Sequence, residues 1–246
     1  MIETLLVVPC YNEAARFKSG SFIAHLDQNP AHAFILVDDG SRDGTRQLLE
    51  ETARARPKAC FALALERNQG KAEAVRQGML AARAHKPVFA GYWDADLATP
   101  LALLADFEEL LRRRRDLHLI LGARVKLLGR QIDRRTGRHY LGRCIATMIS
   151  LILKIPVYDT QCGAKLFRCD AAWEHVFESP FISRWLFDVE ILARYRQAME
   201  KKLLPAFEEC LYELPLSEWR DIQDSHIGLR DGPRVLAALA RIWWKY

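Results

Sequence analysis

Phe34-Ile35-Leu36-Val37-Asp38-Asp39-Gly40-Ser41-Arg42-Asp43-Gly44-Thr45 is the stretch that decides the fold class. Four apolar residues in a row predict a strand buried on both faces, as in a parallel sheet. Two carboxylates and a glycine end it. Ser41, Asp43 and Thr45 are residue types that cap a helix start. A strand passing through a polar turn into a helix is half of a strand–helix–strand unit. The same pattern repeats outward. Upstream, residues 5–8 form an apolar strand that Pro9 should stop. Downstream, strands are predicted at 61–65, at 88–93 ending on Asp94, and at 117–121 ending on Gly122. Helical stretches are predicted at about 12–27, 43–56, 71–85 and 100–115. The chain therefore reads as α/β, with a three-layer, doubly wound, mostly parallel sheet and right-handed crossovers.

The second half is less regular. Leu141, Ile145, Met148, Ile149, Ile152 and Leu153 recur at helical spacing and predict an amphipathic helix over 131–156. Further helices are predicted over 183–201 and 232–246, the last basic and aromatic.

A chain of 246 residues, 50% hydrophobic, can bury a sizeable core. Its net charge of +5 is mild and its basic residues are dispersed, which does not suggest a dedicated nucleic-acid binder. Arg112 to Arg115 reads as a solvated helix end. Six cysteines with no Cys-x-x-Cys pair match no zinc pattern and are expected as reduced thiols, favouring a cytosolic setting. Met1-Ile2-Glu3-Thr4 carries no basic leader, so no secretory signal is expected. The most apolar candidate span, 144–157, is broken by Lys154 and Pro156 and is too short to cross a bilayer.

Every polar motif of the first half falls at the C-terminal end of a predicted strand. That edge is where open α/β sheets bind ligands. Asp94-Ala95-Asp96 is the sharpest of these. Two carboxylates two residues apart in a turn can converge on a hard cation such as Mg2+ or Mn2+, which takes one or two carboxylates plus phosphates and water. Read alone, the tripeptide fits a polar turn as well. Asp38 and Asp39 can accept from a base N–H or a ribose hydroxyl, or can serve the following helix N-terminus. Tyr11 offers a ring for a base and Glu13 a carboxylate for polar edges. Asn68-Gln69-Gly70-Lys71 opens a helix, a plausible anion site that lacks P-loop spacing. Arg124 follows a strand, and Arg134 and Arg138 are four apart on one helix face, as a phosphate clamp or a solvated face requires.

The blocks at 7–17 (VVPCYNEAARF), 35–45 (ILVDDGSRDGT), 68–80 (NQGKAEAVRQGML), 94–99 (DADLAT), 122–124 (GAR), 158–167 (YDTQCGAKLF) and 184–192 (RWLFDVEIL) resemble, in order, those of family 2 glycosyltransferases with the GT-A fold. Within that family they look most like the dolichyl-phosphate β-glucosyltransferases and other polyprenyl-phosphate glycosyltransferases. The resemblance implies one catalytic domain over 1–246. Its nucleotide-sugar half would be about 1–120, its acceptor half about 121–230, and 231–246 an amphipathic terminal helix. It implies an inverting hexosyltransferase moving glucose from UDP-glucose to a polyprenyl or dolichyl phosphate, the alternative being a soluble member acting on a small or saccharide acceptor.

On the same footing, Pro9, Tyr11, Glu13, Val37, Asp38, Asp39, Lys71, Asp94, Ala95 and Gln161 would bind the nucleotide-sugar. Asp94 and Asp96 would hold the divalent metal. Asp96, Arg124 and Asp188 would be catalytic, with Glu190 beside the sugar. Arg124, Arg134, Arg138 and Ser225 would receive the acceptor phosphate. Two positions depart from related patterns. Ala98 stands where mannosyltransferases carry Gln, and Ser225-His226 stands where glucosyltransferases carry Ser-Lys. The broad apolar face of 139–157 beside arginines and a terminal helix carrying Trp243, Trp244, Arg241 and Lys245 suit a peripheral protein on the cytoplasmic membrane face, or packing on the sheet or in an oligomer.

Overall fold

The computed structural model describes residues 1–133, 147, 149–150, 155–202, 204, 207–220 and 232–246. In chain order its elements are β1 (Thr4–Cys10), α1 (Ser19–Gln28), β2 (His32–Asp38), α2 (Thr45–Ala55), β3 (Cys60–Ala64) and α3 (Lys71–Ala82), continued by a 3-10 turn. β4 (Phe89–Trp93), α4 (Leu104–Arg113), β5 (Leu119–Ala123) and β6 (Gln131–Asp133) follow. Then come β7 (Ala164–Arg168), α5 (Ala171–Glu178), α6 (Phe187–Glu200), a four-residue α7 (Phe207–Cys210), β8 (Leu211–Pro215), β9 (Glu218–Arg220) and α8 (Gly232–Lys245).

The chain forms two compact units. The first comprises Met1–Leu97 and Ala164–Pro180. Its strands run in the order β3-β2-β1-β4-β7. The first four are parallel, and β7 joins β4 antiparallel. β1 and β2 are buried almost throughout, which is why they read as continuous apolar runs. This is the mostly parallel α/β sheet that the sequence predicts. The second unit comprises Ala98–Gly163 and Phe181–Tyr246. There β5 pairs parallel with β8, and β6 pairs parallel with β9.

Several element bounds differ from expectation. Pro9 does not stop β1: it stays in register with Val37, and Cys10 with Asp38. The ladder to β4 has ended at Val7, so a residue without an N–H is tolerated beyond it. Gly122 lies inside β5, opposite Leu214, rather than ending it. The first helix starts at Ser19, not near residue 12. The 131–156 helix does not include β6, which pairs with β9, nor residues 155–157. Residues 134–146 lie outside the described residues, and Ile149 is helical and buried.

Candidate active site

In the first unit the loops after β1, β2 and β4 and the start of α3 assemble one polar group. The loop after β1 fails to begin a helix because side chains from the β2–α2 turn capture its N–H groups. Asn12 N–H donates to Ser41 Oγ (3.0 Å), Glu13 N–H to Thr45 Oγ1 (2.8 Å) and Ala14 N–H to Asp43 Oδ2 (3.3 Å). Asn12 Oδ1 in turn accepts from Arg42 N–H, and Asn12 itself has φ of +53°. These bonds leave the Tyr11 ring exposed at the rim, with Pro9 half-buried behind it.

Asp38, the last residue of β2, and Asp39 after it are both buried. Asp38 Oδ1 accepts from Ser41 N–H at 3.1 Å. The two Asp39 oxygens accept from Gln69 N–H and Gly70 N–H, each at 2.7 Å, so Asp39 fixes the approach to α3. Gly40 has φ of +66°, and a Cβ there would lie 2.5 Å from the Arg67 carbonyl carbon. Only glycine fits that turn. Val37 is fully buried within β2.

Asp39 thereby places Lys71 in the first turn of α3, where its Nζ meets Asp94 Oδ1 at 2.5 Å. Asp94 and Asp96 sit in the turn after β4, closed by Leu97 N–H to Asp94 O (3.2 Å) with Leu97 at φ +55°. Ala95 between them is buried, and both aspartates are partly exposed. Burial pushes the Glu13 carboxyl above its ordinary range, and the Asp96 and Asp94 carboxylates push the same way. Its ion pair with Arg16 (2.7 Å) opposes them. Glu13, Asp94 and Asp96 thus make a concentrated negative field.

No group of three or more His, Cys, Asp or Glu able to hold a metal occurs among the described residues. The Asp94–Asp96 pair nevertheless suits a hard divalent cation whose remaining ligands are diphosphate oxygens and water. A third protein carboxylate is not needed for that.

In the second unit Arg124, just past β5, is held by Asp159. Its Nε and Nη2 donate to the two Asp159 oxygens at 2.7 and 2.8 Å, and its backbone N–H donates to Oδ2 at 3.0 Å. Glu213 on β8 fixes that turn by accepting from Tyr158 and Asp159 N–H, both at 2.7 Å. The guanidinium lies over the Trp219 ring, 5.2 Å from its centroid. Among the described residues, Gln161 Nε2 is buried without a hydrogen-bond partner. Asp188 is buried in the first turn of α6. Glu190 is fully buried and engaged within its own unit, accepting from Arg194 Nη2 (2.8 Å), the Tyr246 hydroxyl (3.0 Å) and Ile182 N–H (2.7 Å). Arg134, Arg138 and Ser225 lie outside the described residues.

The sequence reading missed Asp159 and Glu213 as the groups that orient Arg124, and Trp219 beneath it. Asp159 stands beside Thr160 in a quoted block, but its partner is 35 positions away. Spacing alone carries no sign of that pair.

Residues 5–176 match the sequence profile of "Glycosyl transferase family 2". The chain belongs to that family. It is 33% identical to the dolichyl-phosphate beta-glucosyltransferase ALG5C of Trichomonas vaginalis, over 98% of this chain and 71% of that protein. It is 34% identical to the dolichyl-phosphate beta-glucosyltransferase of Drosophila melanogaster, over 78% of this chain and 62% of that one. The chain thus spans less than two thirds of the Drosophila relative.

Among solved structures it resembles the glucosyl-3-phosphoglycerate synthase of Mycobacterium tuberculosis, crystallised with Mn2+, UDP and glucosyl-3-phosphoglycerate. The TM-score is 0.66 at 17% identity, covering 99% of this chain and 80% of that one. That likeness shows a shared GT-A fold. Family membership and a sugar-transferring enzyme are borne out.

Proposed function

We propose that this glycosyltransferase moves glucose from UDP-glucose to a polyprenyl or dolichyl phosphate, with inversion at the anomeric carbon and a divalent cation at the donor. The observation that carries the reading is the Asp94–Asp96 turn with Lys71 against it, in a chain whose relatives are named dolichyl-phosphate beta-glucosyltransferases.

Asp94 and Asp96 would hold Mg2+ or Mn2+, which would neutralise charge on the leaving diphosphate. The Tyr11 ring takes the base by stacking, and Pro9 and Glu13 border it. Asp38 and Asp39 shape the ribose side, Asp39 by bracing the loop rather than by presenting a free carboxylate. Lys71, at a helix N-terminus and paired with Asp94, would offer its ammonium to a diphosphate oxygen. Gln161, whose Nε2 has no partner among the described residues, is suited to a sugar hydroxyl.

On the acceptor side the nucleophile is a phosphomonoester with a second pKa of about 6, ionised without help from a base. The protein's task is then to position it and to stabilise the leaving group. Arg124, with Arg134, Arg138 and Ser225, receives that phosphate, which replaces the Asp159 carboxylate as its anionic partner. Asp188 would serve as a base only for a hydroxyl acceptor.

No helix of the described residues is long and apolar enough to cross a membrane. In α8, Trp243 and Trp244 are exposed beside Arg241 and Lys245, a composition suited to lying at a bilayer surface on the cytoplasmic face.

The test offers labelled UDP- and GDP-sugars with polyprenyl phosphate and Mg2+, Mn2+ or EDTA. Metal-dependent label in the organic phase from UDP-glucose is the expected result. Label only in a water-soluble product would move the acceptor to a soluble molecule.

A further inference from the structure

The segment after Arg124 carries an exposed apolar turn flanked by cations. Leu127-Leu128-Gly129-Arg130 closes a tight turn, with Arg130 N–H donating to Leu127 O at 3.1 Å. Gly129 takes φ of +80° at the third position, as a type II turn requires. Among the described residues nothing approaches within 4 Å of where a Gly129 Cβ would stand, so that side of the turn faces open space. Leu127 is half-exposed (49%) and Leu128 fully exposed. Lys126 and Arg130, both exposed, flank them.

Two leucines at the tip of an ordered turn are too small a patch for a stable protein interface, which needs about 800 Å² per partner. They suit a lipid surface. Apolar tips can enter the acyl boundary while neighbouring cations stay among anionic headgroups. α8, elsewhere in the same unit, repeats the combination of exposed large apolar residues and cations.

The loop also stands in a fixed relation to the acceptor residue. Leu128 is four residues from Arg124, so the two lie at most about 14 Å apart along the chain. The headgroup layer of one leaflet is about 5–8 Å deep. A tip in the hydrocarbon therefore keeps Arg124 within reach of a phosphate at headgroup level.

We propose that the Lys126–Arg130 turn is a membrane-insertion loop that docks the acceptor half on an anionic bilayer and sets Arg124 at the depth of the lipid phosphate. The proposal rests on the polyprenyl-phosphate reading above.

The test compares wild type with Leu127→Ser/Leu128→Ser, two exposed positions whose change leaves the core untouched. Sedimentation with phosphatidylcholine vesicles containing about one third phosphatidylglycerol reads binding. Each leucine removed should lower the partition constant about tenfold. Leu128→Trp should raise it, with tryptophan fluorescence newly quenched by brominated acyl chains. Transfer to a short-chain, water-dispersible polyprenyl phosphate should be the same for wild type and both variants. A double-serine variant that sediments as well as wild type, or a wild type that does not sediment, overturns the proposal. If the vesicle results hold but wild type fails on the short-chain acceptor, the loop assignment stands and the acceptor reading falls.

Discussion

At the scale of single residues, the donor-side group owes its character to charge held close in a partly buried place. Glu13 is the clearest case. Burial and the Asp96 and Asp94 carboxylates disfavour its ionised form. Below the ordinary carboxyl range Glu13 is protonated in both folded and unfolded chains and contributes nothing. As pH rises from about 4.5 through the raised folded value, ionisation works against the fold. Glu13→Gln should therefore raise Tm at pH 7 and leave it unchanged near pH 3, while weakening nucleotide binding. A lower Tm at pH 7 would show that the Arg16 ion pair outweighs the repulsion.

The cysteines give a second residue-scale expectation. Burial pushes Cys60 and Cys169 up to about 12. At pH 8 only about one thiol in ten thousand is then ionised. Iodoacetamide should leave both unlabelled in the native protein and label both after unfolding, as peptide mass spectrometry would read.

At the scale of elements, the C-terminal helix is tied to α6 through one polar knot. Glu190 and Arg194 are almost wholly buried, the Tyr246 hydroxyl joins both, and Arg194 lies 4.4 Å from the Phe181 ring centroid. Removing one partner leaves an uncompensated buried charge. Arg194→Met should cost about 3–5 kcal/mol, read as a fall in Tm. Glu190→Gln/Arg194→Met should recover part of it, because the stranded carboxylate is gone. Additive losses would mean that the pair is not coupled.

The elements also show what a sequence can disclose. Strands β1 to β5 were legible because each is an apolar run ended by a polar or small residue. Their exact ends were not, because Pro9 and Gly122 are tolerated or excluded by the neighbouring strand, not by local propensity. The late start of α1 depends on Ser41, Asp43 and Thr45 reaching back some 30 positions. β7, β8 and β9 were unread because short strands on irregular connections carry little periodicity. The site was legible as a set of motifs. The division of labour within it was not, since Asp39 as a brace and Asp159 as the Arg124 partner are products of packing.

At the scale of the molecule, the first unit gathers negative charge around Asp94 and Asp96, and the second offers a leucine turn and a tryptophan helix at its surface. A net charge of +5 gives the binding to anionic vesicles an electrostatic share. Raising salt from about 0.1 to 1 M should weaken that binding without abolishing it, because screening leaves apolar insertion intact. Complete release by salt would reduce the surface to a purely ionic one.

The central claim is transfer with inversion to a lipid phosphate through the Asp94–Asp96 turn. Proton NMR of the product formed from UDP-α-glucose, polyprenyl phosphate and Mg2+ tests it most directly. The account predicts loss of the α-anomeric signal of the donor and growth of a β-linked glucosyl phosphate on the lipid, one UDP released per product. Asp96→Ala should reduce the rate at least a thousandfold, roughly 4 kcal/mol of barrier. An α-linked product, no lipid glycoside, or full activity in Asp96→Ala would contradict it.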